Sequence, residues 1–198
     1  MIIIKVKWLG NSALLIEAEK SIVIDPSFTE EVVADVKADI VLITHEHDDH
    51  IDPEDLAAVS KEDTKVFAPQ SVYDKFEIQG EIVKAGDVIE DEIKVLDVNC
   101  YKAEESVAYF YKGLYQTADA SDYPDPGEEI ELLFTACFND HFSDYLEKVI
   151  KLNPKMAVPY HYDPAERQEL LQAKGLSSKF EQIGCSSKVM EIGEEIEI

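Results

Sequence analysis

The chain has few cations and few cysteines, and it has no long apolar run. Eighteen lysines and arginines face 42 aspartates and glutamates, a formal charge of −24 over 198 residues. A surface this acidic repels phosphate backbones and anionic membranes, which argues against nucleic-acid binding and against membrane association. Cys100, Cys137 and Cys185 are odd in number, widely spaced and without a CxxC pair. They fit reduced thiols in a cytoplasmic protein better than a disulfide framework. No run of eighteen apolar residues occurs, and Lys5 and Lys7 interrupt the apolar start "MIIIKVKWLG". That start is too short and too alternating for a signal peptide or a membrane span, and reads as a strand.

What is present is a soluble, globular composition, 45% hydrophobic and 9% aromatic. The length fits one domain spanning residues 1–198, with no linker, low-complexity tract or sequence repeat to divide it. "IIIKVKWL", "ALLIEA" and "SIVIDP" read as strands around a Gly10-Asn11 turn. "ADIVLIT" is a continuous apolar run, as expected for a strand covered on both faces. Asp52-Pro53-Glu54-Asp55 signals a helix start, with Asp52 as N-cap and the helix reaching Ser60. "TKVFAP", "EIKVLDVNCY", "SVAYFYK", "LYQTADA", "IELLFTAC" and "KMAVPYH" are further strands, and "PQSVYDKF" and "FSDYLEKVIKL" are helices. Asp163-Pro164-Ala165-Glu166 repeats the helix-start signature, with Glu166 placed to close a capping box, and "SKVMEI" and "EIEI" end the chain as strands. The order suggests an α/β protein of two mixed sheets packed face to face, with helices outside.

The apolar strand "ADIVLIT" runs into "THEHDDHID", which holds three of the five histidines. Where a chain leaves a strand extended, residues i and i+2 point the same way, so His45 and His47 can grip one cation. The following turn carries Asp49 and His50 to a neighbouring location. Mixed nitrogen and oxygen ligands suit Zn²⁺, or Mn²⁺ or Fe²⁺, better than Ca²⁺ or Mg²⁺. One or two such divalent ions could activate water and polarise a carbonyl or phosphoryl oxygen. Glu46 and Asp48 alternate with these residues and are expected to point away, towards solvent or supporting contacts.

"THEHDDH" resembles the T-H-x-H-x-D-H signature of the metallo-β-lactamase-fold hydrolases. "KWLGNSALLIEAEKSIVIDPSF" is similar to the family's opening hairpin and its strand ending in Asp-Pro. "LYQTADASD" is similar to the strand carrying a metal-bridging aspartate, and "KMAVPYHYDP" to a late Pro-x-His-Tyr element. The likeness spans almost the whole chain and is nearest to the compact branch of ascorbate-6-phosphate lactonase-like enzymes. It implies a four-layer αββα sandwich and a metal-dependent hydrolase acting on an ester, lactone or phosphoester through a metal-bound hydroxide. It implies His45 and His47 on a first metal, Asp49, His50 and His161 on a second, Asp119 bridging, and Asp49 as the catalytic carboxylate. By themselves Asp119 also reads as a turn aspartate and His161 as a hydrogen-bonded core histidine.

The chain departs from that pattern in three places. No histidine lies in "VLDVNCYKAEESVAYF", where the first metal's third ligand belongs. Lys102 falls there, with Cys100, Glu104 and Glu105 nearby. An ammonium cannot ligate, but it could bind an anionic group of a small-molecule substrate. Asn11 stands where many relatives have histidine, and Ala118-Asp119-Ala120 replaces Gly-Asp-Thr. His141 in "FNDHFSD" is a second candidate substrate contact, or an exposed helix N-terminus. The rival to hydrolysis is a fold relative that has lost turnover and acts as a binding protein. Nucleic-acid cleavage fits poorly with the charge. The oligomeric state is left open.

Overall fold

The computed structural model describes residues 3–28 and 36–198, so Met1 and Ile2 of the expected first strand lie outside the described residues. It separates into two compact units. One comprises Met1–Val83, Ala103–Ser106 and Glu191–Ile198; the other comprises Lys84–Lys102 and Val107–Met190.

The first unit is a seven-stranded sheet. Its strands are β1 (Lys5–Gly10), β2 (Ala13–Glu17), β3 (Ser21–Ile24), β4 (Ile40–Leu42), β5 (Lys65–Ala68), β6 (Glu81–Ile82) and, at the end of the chain, β14 (Glu195–Glu197). The order is β14-β1-β2-β3-β4-β5-β6. The pairings from β14 to β3 are antiparallel, and those from β3 to β6 are parallel. Helix α1 (Pro53–Val59) connects β4 to β5, and α2 (Gln70–Lys75) connects β5 to β6, as parallel pairing requires a crossover.

The local chemistry explains these bounds. The Asp52 side chain accepts the N–H groups of Glu54 and Asp55, Pro53 opens α1, and the Ser60 N–H closes on the Leu56 carbonyl. Leu56 and Val59 face inward, one turn apart, and join Leu9, Leu15, Val23, Val41, Ile43 and Val72 in one apolar cluster. Each such side chain contributes roughly 1.5–3 kcal/mol on burial. The opposite face of the same strands, with Val6, Trp8, Leu14, Ile22 and Ile40, is equally buried. At the outer edge, Lys5 and Lys7 pair with Glu197 and Glu195 across β1 and β14.

The second unit repeats the scheme. Its strands are β7 (Val88–Ile89), β8 (Ile93–Asp97), β9 (Val107–Tyr111), β10 (Leu114–Gln116), β11 (Leu132–Ala136), β12 (Met156–Tyr160) and β13 (Ser186–Ser187). The order is β13-β12-β11-β10-β9-β8-β7, with an antiparallel meander from β7 to β10 and parallel pairing from β10 to β13. Helix α3 (Phe142–Leu152) connects β11 to β12, and α4 (Arg167–Gln182) connects β12 to β13. The chain therefore contains a structural duplication without sequence repetition. β3 and β10 hold the same rank in the two sheets, as the last strand of the meander and the first of the parallel set.

Two expectations need correction. Helix α4 begins at Arg167 rather than near Asp163, and its N-cap Glu166 makes no side-chain cap bond. Asp163 instead accepts from the Ala165 N–H, while its own N–H goes to the Glu169 carboxylate. The capping chemistry is present but serves a turn before the helix. "SKVMEI" is not a strand over its length: β13 is confined to Ser186–Ser187. No helix among the described residues is long and apolar enough to cross a membrane.

Candidate metal centre

In the first unit, the candidate ligands lie beyond the carboxyl ends of the parallel strands, where open α/β sheets place their sites. β4 is wholly apolar and buried, and Ile43 extends its ladder by donating to the Phe67 carbonyl. Thr44 then meets Asp25, the residue that follows β3. The Thr44 N–H lies 2.8 Å from Asp25 Oδ1 and the Thr44 hydroxyl 2.9 Å from Asp25 Oδ2. His50 Nδ1 lies 2.8 Å from the same Oδ2, with both side chains fully enclosed. Asp25 takes this position with φ of 51°. Burial outweighs the His50 ring and the two Thr44 donors and leaves its carboxyl above the ordinary range.

These contacts fix the tautomers of two histidines. With Asp25 ionised, its carboxylate only accepts, so the Thr44 hydroxyl spends its single proton on Asp25. Thr44 Oγ1 also lies 2.9 Å from His45 Nδ1, and must therefore accept from that nitrogen. His50 Nδ1 is committed as a donor to Asp25. In the neutral rings, both Nε2 atoms then carry lone pairs, which is the form a metal ion binds. The three rings cluster, with centroids 4.5 Å apart for His45 and His47 and 3.9 Å for His45 and His50. His45 Nε2 and His47 Nδ1 lie 3.1 Å apart.

The flanking acids behave differently from one another. Glu46 is buried, not solvated, and its carboxylate accepts the Ser71 hydroxyl at 2.8 Å and the Glu104 N–H at 2.7 Å. Burial pushes its pKa up, but those donors and the nearby His47 outweigh it and hold Glu46 below the ordinary range. The Lys75 ammonium bonds the Glu46 carbonyl and pairs with the exposed Asp48 at 2.7 Å. Glu105 accepts the Ser71 N–H, and Ser106 bridges to His45. The segment Ala103–Ser106 is thereby strapped beside the ligand loop. Asp49 presents an exposed side chain, and its carbonyl accepts Asn11 Nδ2 and Ser12 Oγ at 3.0 and 3.2 Å.

In the second unit, Asp119 and His161 follow β10 and β12, two parallel strands that flank β11. His161 Nε2 lies 3.1 Å from Asp119 Oδ1. Tyr160 links the two loops by donating to the Ala118 carbonyl and accepting from Gln116 Nε2. Ala118 and His161 adopt φ of 50° and 61°, a left-handed conformation that costs roughly 1–2 kcal/mol for a residue with a Cβ. The Phe138 ring packs edge-on to the His161 imidazole, centroids 5.1 Å apart. Burial pushes the Cys137 thiol up to about 12, so it stays protonated, and it lies 3.7 Å from the His161 carbonyl. Lys102 is exposed, with its ammonium over the Tyr101 ring, and His141 pairs with Asp144 at the start of α3.

The donor set fits a transition metal. Ligand atoms on a tetrahedral ion at 2.0–2.1 Å are separated by about 3.3 Å. Each unit on its own offers a pair near that spacing, His45 with His47 and Asp119 with His161. Asp25 and Thr44, the residues that set up the histidines, are not among the sequence candidates, whereas Glu46 takes the supporting role that was one of its two expected readings. The Asp-Pro ending of β3 and the threonine before the first histidine were the available signals.

A model of the beta-lactamase superfamily domain matches residues 5–161. A UPF0173 metal-dependent hydrolase from Thermococcus kodakarensis is 49% identical over 53 residues, 24% of this chain and 24% of that protein. Another from Archaeoglobus fulgidus is 24% identical over 87% of this chain and 92% of its own length. Among solved structures, Igni18, a metallo hydrolase from Ignicoccus hospitalis, superposes with TM-score 0.77 at 21% identity, covering 99% of this chain and 98% of that one. The metallo-beta-lactamase fold protein YhfI from Bacillus subtilis gives TM-score 0.72 at 16% identity, with both chains fully covered. With two mixed sheets, crossover helices and candidate ligands beyond the parallel strands, the chain has the metallo-β-lactamase fold and belongs to the beta-lactamase superfamily.

Proposed function

We propose that the chain is a metal-dependent hydrolase of the UPF0173 kind, acting on an ester, lactone or phosphoester. The observation that carries this reading is the tautomer lock, in which Asp25 and Thr44 engage Nδ1 of His50 and His45 and leave Nε2 of each as the lone-pair nitrogen. A loop of merely solvated histidines has no use for a buried carboxylate beneath it. The ligand sets we assign, as the family likeness implies, are His45 and His47 on a first ion and Asp49, His50 and His161 on a second, with Asp119 bridging. The donors suit Zn²⁺, or Mn²⁺ or Fe²⁺, one or two ions per chain. When bound, such an ion supplies Lewis-acid polarisation of the scissile carbonyl or phosphoryl oxygen and makes water more acidic.

The chain's own residues have distinct tasks. Asp25 and Thr44 orient the imidazoles, and we assign Asp49 as the catalytic carboxylate, as the family likeness implies. Lys102, exposed over the Tyr101 ring, offers a point cation for an anionic group of a small-molecule substrate, with His141 a second candidate contact. We assign neither nucleic acid nor membrane as partner, given the net charge.

The absence of a histidine between Val95 and Phe110 favours one further reading, a relative that binds a metal weakly and does not turn over. The test is elemental analysis of purified protein, then reconstitution with Zn²⁺, Mn²⁺ or Fe²⁺ against panels of lactones, phosphodiesters and esters. Hydrolysis that is lost on chelation and in His47→Ala establishes the enzyme. Weak or single metal occupancy without turnover after reconstitution establishes the binding protein, and protein without stoichiometric transition metal sinks the hydrolase.

A further inference from the structure

We infer that the tip of the β1–β2 hairpin is a positioning device for the metal ligand Asp49, with Asn11 and Ser12 as its working residues. The inference rests on the metal-site reading above. Gly10 pairs with Ala13, leaving Asn11 and Ser12 as a two-residue loop. Both side chains of that loop go to one acceptor, the Asp49 carbonyl, 38 and 37 residues away, at 3.0 and 3.2 Å. The tip is itself braced. Trp8, fully buried, donates its indole N–H to the Asn11 carbonyl at 2.9 Å. Asn11 sits at φ of 43°, a conformation asparagine tolerates and most residues resist.

The geometry has a mechanical purpose. Asp49 lies in the turn between His47 and His50, where the His50 N–H donates to the His47 carbonyl. Its side chain is exposed. Two bonds to its carbonyl fix the peptide plane between Asp49 and His50, and with it the backbone from which both side chains project. His50 is held at its far side by Asp25; Asp49 has the hairpin. Polar partners that orient a ligand without touching the metal typically change affinity by roughly 10–100-fold.

Three substitutions test the assignment: Asn11→Gly, which removes the amide without backbone strain, Ser12→Ala, and Asn11→His, which restores a ring N–H donor. Dissociation constants for Zn²⁺ and Mn²⁺ are measured by competition with a chelator, alongside urea midpoints of the metal-free proteins. The expected result is a dissociation constant raised about 10–100-fold when Asn11→Gly and Ser12→Ala are combined in one chain. Asn11→His with Ser12 intact should bind much closer to wild type, with metal-free midpoints little changed throughout. A purely structural tip would lower the metal-free midpoint and leave affinity alone, which would overturn the inference. If wild-type protein binds neither ion, the metal-site reading fails; if it binds and the variants bind equally, only the hairpin's role fails.

Discussion

His50 and Asp25 meet through a 2.8 Å contact between Nδ1 and Oδ2, with neither side chain reaching solvent. Because Asp25 also receives the Thr44 N–H and hydroxyl, this one carboxylate governs three donors and, through Thr44, His45. Asp25→Asn keeps the shape and tolerates the φ of 51°. It replaces an acceptor by an NH₂ group facing donors. Metal affinity should fall roughly 10–100-fold. The metal-free protein should lose about 1–3 kcal/mol in urea titration. Unchanged metal affinity would show that the carboxylate does not set the tautomers.

Glu46 is the clasp of the strap. In Glu46→Ala, the Glu104 N–H and the Ser71 hydroxyl lose their common acceptor. Hydrogen exchange at Glu104 and Ser106 should accelerate well before global unfolding, with stability reduced by about 1–3 kcal/mol. Protection that survives at both amides would mean that the bridge to His45 alone holds the segment.

Ala118→Gly should stabilise the protein. The residue is fixed at φ of 50°, where a Cβ costs roughly 1–2 kcal/mol. Glycine's greater freedom in the unfolded chain takes back about 0.4–1 kcal/mol. A net gain of roughly 0.5–1 kcal/mol in thermal or urea unfolding is expected. A loss would show that the Ala118 methyl makes packing contacts that outweigh its strain.

Asp39 supplies a pH signature remote from the ligands. Lys61 and the Ser21 N–H hold its carboxyl at about 2. A group depressed in the folded state stabilises it above the unfolded pKa, near 4, and loses that contribution as pH falls towards 2. Both partners are 37% exposed, so the contribution is at most about 1 kcal/mol. The urea midpoint of Asp39→Asn should lie below wild type at pH 7, with the gap closing between about pH 4 and pH 2. A gap constant with pH would assign the effect to packing.

Local signals were legible where one stretch of chain carries all the information. Asp52 and Pro53 place α1, the period of Phe142–Leu152 places α3, and the spacing of His45, His47, Asp49 and His50 marks the candidate ligand loop. What escaped needs partners distant in sequence. Asp25 acquires its task only when β3 pairs in parallel with β4 and presents it to Thr44. Glu46 reads equally as a solvated acid or a supporting contact, and only Ser71 and Glu104 decide for the second. The start at Asp163 has correct capping chemistry, but Glu169 diverts its N–H, so the helix begins later. β6 and β7 are two residues long, and an edge strand so short is recruited by its neighbour's ladder rather than by its own composition.

The pairing of β1 with β14 has a consequence for the order of folding. The two ends of the chain must meet before Lys5 faces Glu197 and the Ile4 N–H reaches the Ile198 carbonyl. During synthesis, the meander of β1 to β3 can form early, yet its outer edge stays open until residues 194–198 emerge. An open edge invites pairing with other nascent chains. Lys5 and Lys7 guard that edge while it waits, because two ammonium groups facing a second copy of themselves repel it. The same two charges then select the acidic strand that closes the sheet.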